Sequence, residues 1–177
     1  MNHLLFADIV KNIHSQDIRN FVNACLKDVP DEFETIPAST SGKYHPVEAT
    51  AEGGLLWHVR RACWFGYKLI TACKWEKDDI RGDIVLAALI LHDISKKKDY
   101  AKYWDYVNHP QTAAGFVARH KNLVPDKVFK LIQGCILHHM GPFGGKFFKK
   151  PMNKYNILEM MVYMADYMSA SKDLKII

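Results

Sequence analysis

Eight consecutive apolar residues set the strongest limit on the fold of this chain. They run from Ile84 to Leu91, directly after Asp83. We interpret the run as the interior of a helix that Asp83 opens, because a helix that is apolar on every face is buried on all sides. The sequence therefore predicts that other elements pack around this helix.

The rest of the chain favours helices over strands. No run alternates β-branched and polar residues, and no Asn-Gly turn joins two such runs. Helix boundaries follow from capping residues, prolines and the spacing of apolar residues. Besides the apolar run, helices are predicted from Ser15 to about Val29, about Val47 to Lys74, Asn108 or His109 onward, Pro125 to Gly141, and about Asn153 to Ala170.

The predicted fold class is therefore all-α, a single compact helical bundle. A chain of 177 residues, 49% of them hydrophobic, is long enough for one sizeable core and too short for two comfortable domains. We expect one domain over residues 1–177, in which a helix and loop of residues 1–46 pack on a helical core of residues 47–170. A polar, turn-rich surface loop is predicted at residues 36–46.

Composition bears on location and partners. No window approaches eighteen uninterrupted apolar residues, and the first residues lack the features of a secretory signal, so we expect a cytoplasmic protein without a membrane partner. The formal net charge of +5 favours an anionic partner. The four cysteines form no CxxC pair, so buried free thiols are expected.

Ionisable residues fall where three predicted helices should drive them toward the core. His92 and Asp93 follow the apolar run, His138 and His139 close another apolar helix, and Asp166 interrupts an apolar one. A buried bare carboxylate costs many kilocalories per mole unless it is paired, hydrogen-bonded or bound to a metal. Imidazoles with carboxylates suit divalent iron, manganese, cobalt, nickel or zinc, whereas the absence of cysteine ligands argues against structural zinc.

Each residue also has a plain structural explanation. His92 and His138 could suit the dipole at a helix C-terminus, and His109 before a proline could merely begin a helix. His58 could be a core histidine, and Asp166 could accept a hydrogen bond from a tyrosine. Together these explanations are less convincing, because two adjacent pairs and three further residues stand on different predicted helices, as convergent ligands require.

The order of these residues resembles the two-metal branch of the HD-domain phosphohydrolases, which includes HD-GYP cyclic-dinucleotide phosphodiesterases and HD-type exoribonucleases. The resemblance runs from about Gly53 to Asp166. The segment from Gly53 to His58 resembles the one before the family's first histidine, and the segment from His92 to Lys96 resembles its HD-x-G-K stretch, with Ser95 where glycine is usual. The ordered residues are His58, His92-Asp93, His109, His138-His139 and Asp166.

The resemblance implies two divalent metal ions. One would be held by His58, His92, Asp93 and Asp166, the other by His109, His138 and His139, with Asp93 bridging both. HD-GYP members that bind a third metal have a glutamate four positions before the first histidine, where this chain has Gly54. Glu52 lies close enough to leave a third metal open.

Two such ions, about 3.5–4 Å apart, lower the pKa of a bridging water for in-line attack on phosphorus. Lys96, three residues after Asp93, is expected to hold a phosphate oxygen, and the resemblance implies the same role. We therefore expect Asp93 and Lys96 to be catalytic.

The leading functional hypothesis is hydrolysis of a nucleotide phosphodiester, in a cyclic nucleotide or short oligonucleotide. A nucleotidase or nucleoside triphosphate hydrolase is its nearest rival, although one-metal family members do that work with fewer histidines. A nucleotide-binding regulatory module with little turnover is a hypothesis of a different class, and a mixed-valent di-iron oxygenase is a fourth. The sequence leaves self-association open.

Loops beside the predicted ligands offer substrate contacts. Lys43 and His45 belong to the polar loop, and Lys146 follows a glycine-rich segment after His139. Tyr103 belongs to an aromatic stretch, 100–106, that could stack on a base or simply pack on the bundle. These residues, together with Lys96, are the predicted substrate contacts.

Overall fold

The computed structural model describes residues 5–39, 42–43, 45–77, 79–96, 103–145 and 150–174, and gives the backbone alone at 103–106. The protein is all-helical, and none of the described residues lies in a β-strand, which confirms the predicted fold class. The α-helices are α1 (Ala7–Val10), α2 (Gln16–Lys27), α3 (Val47–Thr50), α4 (Gly54–Ala72), α5 (Ile80–Leu91), α6 (Tyr103–Val117), α7 (Asp126–His138) and α8 (Ile157–Ala170).

Helix α5 lies inside the bundle and carries the apolar run. Every residue from Gly82 to Leu91 is buried, and α5 packs against α2, α4, α7 and α8. The predicted start at Asp83 is wrong, because Asp79 caps the helix by accepting a 3.0 Å hydrogen bond from the Arg81 backbone. Asp83 instead accepts the backbone N–H groups of His14 and Ser15, at 2.9 and 2.7 Å, and thereby ties the N-terminal segment to α5.

The long helix predicted from Val47 to Lys74 is divided in two. Residues 51–53 separate α3 from α4, and Gly53 has φ +74°, a left-handed conformation that glycine adopts at little cost. The Gly53 N–H then donates to the Thr35 carbonyl at 2.9 Å. This hydrogen bond connects the start of α4 to Thr35, which comes just before the polar loop.

Two other helices begin away from their predicted starts. Helix α6 is predicted to begin at Asn108 or His109, but it begins at Tyr103 and contains Pro110. A proline interrupts a helix locally without preventing helical turns before it. Helix α8 begins at Ile157, because Asn156 and Glu159 form a capping box there. The predicted cap of α2 at Ser15 is confirmed, with its side chain accepting from the Ile18 backbone.

One apolar cluster joins the N-terminal segment to the central helices. Phe6, Phe21 and Phe33 are fully buried in the same cluster as the interior of α5. Cys25, Cys63 and Cys135 are buried free thiols, as expected, whereas Cys73 is exposed. Across the described residues, no helix combines the length and the apolar character that a membrane crossing requires.

Candidate metal centre

Six of the seven predicted ligands converge inside the bundle and could bind metal ions. They come from five segments of the chain, so the packing of distant helices brings them together. His58 lies on α4, His92 and Asp93 follow α5, His109 lies on α6, His139 caps the end of α7 and Asp166 lies on α8. All of them are buried except Asp166, whose side chain is 17% exposed.

The first group of ligand atoms surrounds one oxygen of Asp93. The Oδ2 atom of Asp93 lies 3.6 Å from His58 Nε2 and 3.4 Å from His92 Nε2. Oδ1 of Asp166 lies 2.9 Å from the same atom of His58 and 3.5 Å from that of His92. Two imidazole nitrogens and two carboxylate oxygens therefore face one another.

The second group surrounds the other oxygen of Asp93. Its Oδ1 atom lies 2.9 Å from His109 Nε2 and 3.7 Å from His139 Nε2. The two imidazole nitrogens are 3.0 Å apart. Asp93 is therefore shared by both groups, with one carboxylate oxygen facing each.

Hydrogen bonds from outside the cluster orient three of the imidazoles. Nδ1 of His92 lies 2.7 Å from the Leu89 carbonyl, and Nδ1 of His139 lies 2.7 Å from the Ile136 carbonyl. A carbonyl can only accept, so Nδ1 of each ring carries a proton and donates it. In the neutral form of each ring, the Nε2 lone pair then faces the carboxylates. Metal-binding histidines typically hold their second nitrogen in this way.

His58 is oriented through a serine that sequence analysis missed. The Ser169 hydroxyl donates to the Asp166 carbonyl at 2.7 Å, and its oxygen lies 3.0 Å from His58 Nδ1. Because the hydroxyl proton is used, the oxygen accepts from Nδ1–H of His58. A small polar residue one turn after Asp166, in an otherwise apolar helix, is the signal that could have indicated Ser169.

Charges within the cluster hold both carboxylates ionised. Burial alone would raise the pKa of Asp93, but Lys96 and the neighbouring imidazoles lower that pKa well below its usual range. The buried Lys96 ammonium lies 2.7 Å from Oδ2 of Asp93. Burial likewise opposes ionisation of Asp166, and hydrogen bonds from His58 and His92 lower its pKa well below the usual range.

The imidazoles respond to these charges in opposite directions. Burial would lower the pKa of His92, but the Asp93 and Asp166 carboxylates raise it to about 10. Burial, followed by the charges of His92 and His109, lowers the pKa of His139 to about 3. In the metal-free protein at neutral pH, His92 is therefore protonated and His139 is neutral.

His138 is the predicted ligand that belongs to neither group. Adjacent helical residues point about 100° apart, so His138 and His139 leave the end of α7 in different directions. Nδ1 of His138 lies 2.8 Å from Oε1 of Glu159, which leaves Nε2 as the atom that could bind a metal. Its assignment as a ligand stays a prediction.

Glu159 is a buried residue that sequence analysis missed. Besides His138, its carboxylate binds the Lys150 ammonium at 2.6 Å and the Asn156 backbone N–H at 2.8 Å. The Asn-x-x-Glu spacing of the capping box is the sequence signal for it. The same carboxylate thus starts α8 and orients a histidine beside the cluster.

The predicted substrate contacts are distributed unevenly. Lys96 lies at the cluster, and the His45 ring lies 5.6 Å from the His58 ring, centroid to centroid. Burial, followed by the charges of His58 and Lys96, lowers the pKa of His45 to about 4. Lys43 is exposed on the same loop as His45. Lys146 and the side chain of Tyr103 lie outside the described residues.

No family model matches this chain, and neither does any curated protein or solved structure. What the fold supplies is a buried cluster of four imidazoles and two carboxylates that could bind metal ions.

Proposed function

We propose that this chain is a metal-dependent phosphohydrolase that cleaves a nucleotide phosphodiester with two divalent ions. The observation that carries the proposal is the position of Asp93, whose Oδ2 faces the Nε2 atoms of His58 and His92 and whose Oδ1 faces those of His109 and His139. A carboxylate shared in this way suits two neighbouring ions. Two-metal sites of this kind are widespread among enzymes that hydrolyse phosphoesters.

The donor atoms fit such ions. His58, His92, Asp93 and Asp166 would hold one ion, and His109, His139 and the second oxygen of Asp93 would hold the other. Donor sets rich in imidazole favour iron, manganese, cobalt, nickel or zinc over magnesium, which prefers oxygen ligands. When bound, the ions would acidify a water molecule and neutralise charge on the phosphate.

The protein's own residues favour an anionic substrate at this centre. Asp93 and Asp166 balance only half the charge of two divalent ions, and Lys96 adds a further positive charge at 2.7 Å from Asp93. Lys96 would contact a non-bridging phosphate oxygen as a point charge. Its burial limits the positions that the ammonium can take.

Metal analysis combined with a phosphodiesterase assay tests this proposal. Purified protein is expected to hold two transition-metal ions per chain and to release p-nitrophenol from bis-p-nitrophenyl phosphate. Asp93→Ala removes the shared carboxylate and should lose both ions and all activity. His139→Ala removes one imidazole beside Oδ1 of Asp93 but leaves His58, His92, Asp93 and Asp166 in place, and it should retain about one ion.

Asp17→Ala is the matched control, because Asp17 is an exposed carboxylate on α2. This variant should keep the metal content and the activity of the wild type. A wild-type protein that binds no metal and shows no cleavage after reconstitution would contradict the proposal. Two bound ions without turnover on any phosphoester would favour the nucleotide-binding module instead.

A nucleotidase or nucleoside triphosphate hydrolase is the second candidate. In the HD-domain family that the order of ligands resembles, members with this activity work with one metal ion, which the first group of ligands alone would satisfy. His109 and His139 beside the second oxygen of Asp93 favour the two-ion reaction. Release of inorganic phosphate from nucleotides, without cleavage of diesters, would favour the monoester or anhydride reaction.

A further inference from the structure

A cavity that is open to solvent lies beside the candidate metal centre and is separate from the cluster of ligands. Its volume is about 480 Å³, and it is lined by residues 42, 45–48, 50 and 172. Sites for small molecules commonly measure about 300–1,000 Å³. The cavity is therefore large enough for a group of the size of a nucleoside.

His45 connects this cavity with the metal centre. It lines the cavity while its ring lies 5.6 Å from that of His58, a candidate metal ligand. Lys172 also lines the cavity and follows the end of α8, the helix that carries Asp166. A molecule in the cavity would thus lie next to the first group of ligands.

His45 also has a polar atom that suits a ligand. Its Nδ1 atom is buried, and within the described part of the chain it has no hydrogen-bond partner. Buried polar atoms are usually hydrogen-bonded, and each unsatisfied one requires an explanation. Because Nδ1 is shielded from solvent, a molecule bound in the cavity would reach it after a rotation of the His45 ring.

The other lining residues indicate the chemistry of that molecule. Pro46 and Val47 form an apolar wall, with Val47 76% exposed. The Glu48 carboxylate and the Lys172 ammonium provide one charge of each sign. These opposite charges cancel and give the cavity no net attraction for a second phosphate, whereas a nucleoside offers an apolar ring face and hydroxyl donors that match these groups.

We propose that this cavity binds the nucleoside joined to the scissile phosphate. Val47 and Pro46 contact the base or sugar, Glu48 accepts hydrogen bonds from hydroxyl groups, and Lys172 faces the phosphate side. This inference rests on the proposed function for the place of the phosphate, and it adds the place where the nucleoside of the substrate binds.

Two substrates with the same leaving group test the proposal. The p-nitrophenyl ester of thymidine 5′-monophosphate carries a nucleoside, and bis-p-nitrophenyl phosphate does not. In the double variant Glu48→Ala/Lys172→Ala, which keeps the net charge, the ratio of kcat/KM for the first substrate over the second should fall about tenfold. The control Asp31→Ala/Lys121→Ala changes exposed residues that do not line the cavity, and it should keep the wild-type ratio.

Direct binding separates this proposal from the proposed function. Calorimetric titration with thymidine 5′-monophosphate should give a Kd about tenfold weaker in the double variant, and weaker also in Val47→Asp, which charges the apolar wall. This measurement needs no turnover, so it tests binding in the cavity even if neither ester is cleaved. No binding to the wild type, or equal Kd values in the wild type and both cavity variants, would overturn the proposal.

Discussion

Each of three cluster histidines is held at Nδ1 by a group outside the cluster, and this determines which atom faces the carboxylates. Leu89 and Ile136 hold His92 and His139 through backbone carbonyls, which substitution cannot remove. His58 depends on a side chain, Ser169. The orientation of His58 is therefore the one most open to a test by mutation.

Ser169→Ala should weaken metal binding without removing a ligand. Loss of such an outer contact typically costs about 10–100-fold in metal affinity, because the ring orientation and tautomer are no longer held. Competition with a chromogenic chelator measures this change. Ser15→Ala is the control: it removes the cap of α2 and should cost about 1 kcal/mol of stability while leaving metal affinity unchanged. Equal affinities in all three proteins would show that Ser169 does not orient His58.

Metal binding should release a proton from His92. Its pKa is raised to about 10 in the metal-free protein, so at pH 7 the ring must lose a proton before it can bind. His139, with its pKa lowered to about 3, has none to lose. Metal affinity should therefore increase as the pH rises from 7 toward 10, by up to about tenfold per unit for one proton.

Calorimetry in buffers of different ionisation enthalpy counts the released protons. His92 should contribute about one of these protons per chain near pH 7.5. Asp93→Ala, which lacks the shared carboxylate, should release none if it no longer binds metal. An affinity that does not change between pH 7 and 9 would contradict the protonation of His92.

The helices hold the cluster through close packing and buried polar contacts. Arg61 of α4 is buried and donates to the Ser169 and Ser171 carbonyls at 2.9 and 3.2 Å, and also to the Leu174 carbonyl. These bonds satisfy carbonyls at the end of α8, close to the serine that orients His58. The guanidinium also lies over the Trp57 ring. Arg61 thus fixes α8 against α4.

Two glycine-to-alanine substitutions should have opposite effects on the helices. At Gly82 on α5, a Cβ would lie 2.3 Å from the Trp75 carbonyl oxygen, so Gly82→Ala should destabilise the fold by about 1–3 kcal/mol. At Gly115 on α6, a Cβ would meet nothing within 4 Å. Gly115→Ala should therefore stabilise the fold by up to about 1 kcal/mol, because alanine favours helices.

Chemical denaturation of both variants measures the two effects. Because the substitution is the same, the difference between them isolates the surroundings of each glycine. Similar stabilities for Gly82→Ala and the wild type would show that the contact between the start of α5 and residue 75 can yield without cost.

For the whole molecule, metal binding and folding are coupled. Ligands from α4, α6, α8 and the residues after α5 and α7 meet only when the helices are packed, so the unfolded chain offers no comparable site. Two carboxylates, a lysine and four imidazoles also lie close together in the interior. Bound ions would offset the repulsion between the carboxylates.

Metal ions should therefore raise the melting temperature. Free metal at about 100 times its Kd stabilises a one-site protein by about 2.7 kcal/mol. For a chain of this length, that corresponds to a rise in Tm of roughly 5–10 °C. Calorimetric scans with metal and with a chelator measure the shift. Asp93→Ala should show no such rise, and an equal rise in both proteins would place the stabilising ion outside this cluster.

Much of the fold could be predicted because the relevant signals are local. The apolar run and the helical spacing of apolar residues depend on neighbouring positions, and they were enough for the all-α class and for the buried helix α5. The high cost of burying a bare carboxylate likewise drew attention to Asp93 and Asp166 from their apolar neighbours alone. The six residues that converge were all among the seven predicted ligands.

What the tertiary structure decided depends on contacts between residues far apart in sequence. Nothing local shows that His139 joins the cluster while His138 pairs with Glu159, because that depends on where α8 lies relative to the end of α7. The contact of Ser169 with His58 likewise requires α4 and α8 to pack side by side. Periodicity determines which face of a helix is apolar, but only the packing of several helices determines which polar atoms meet.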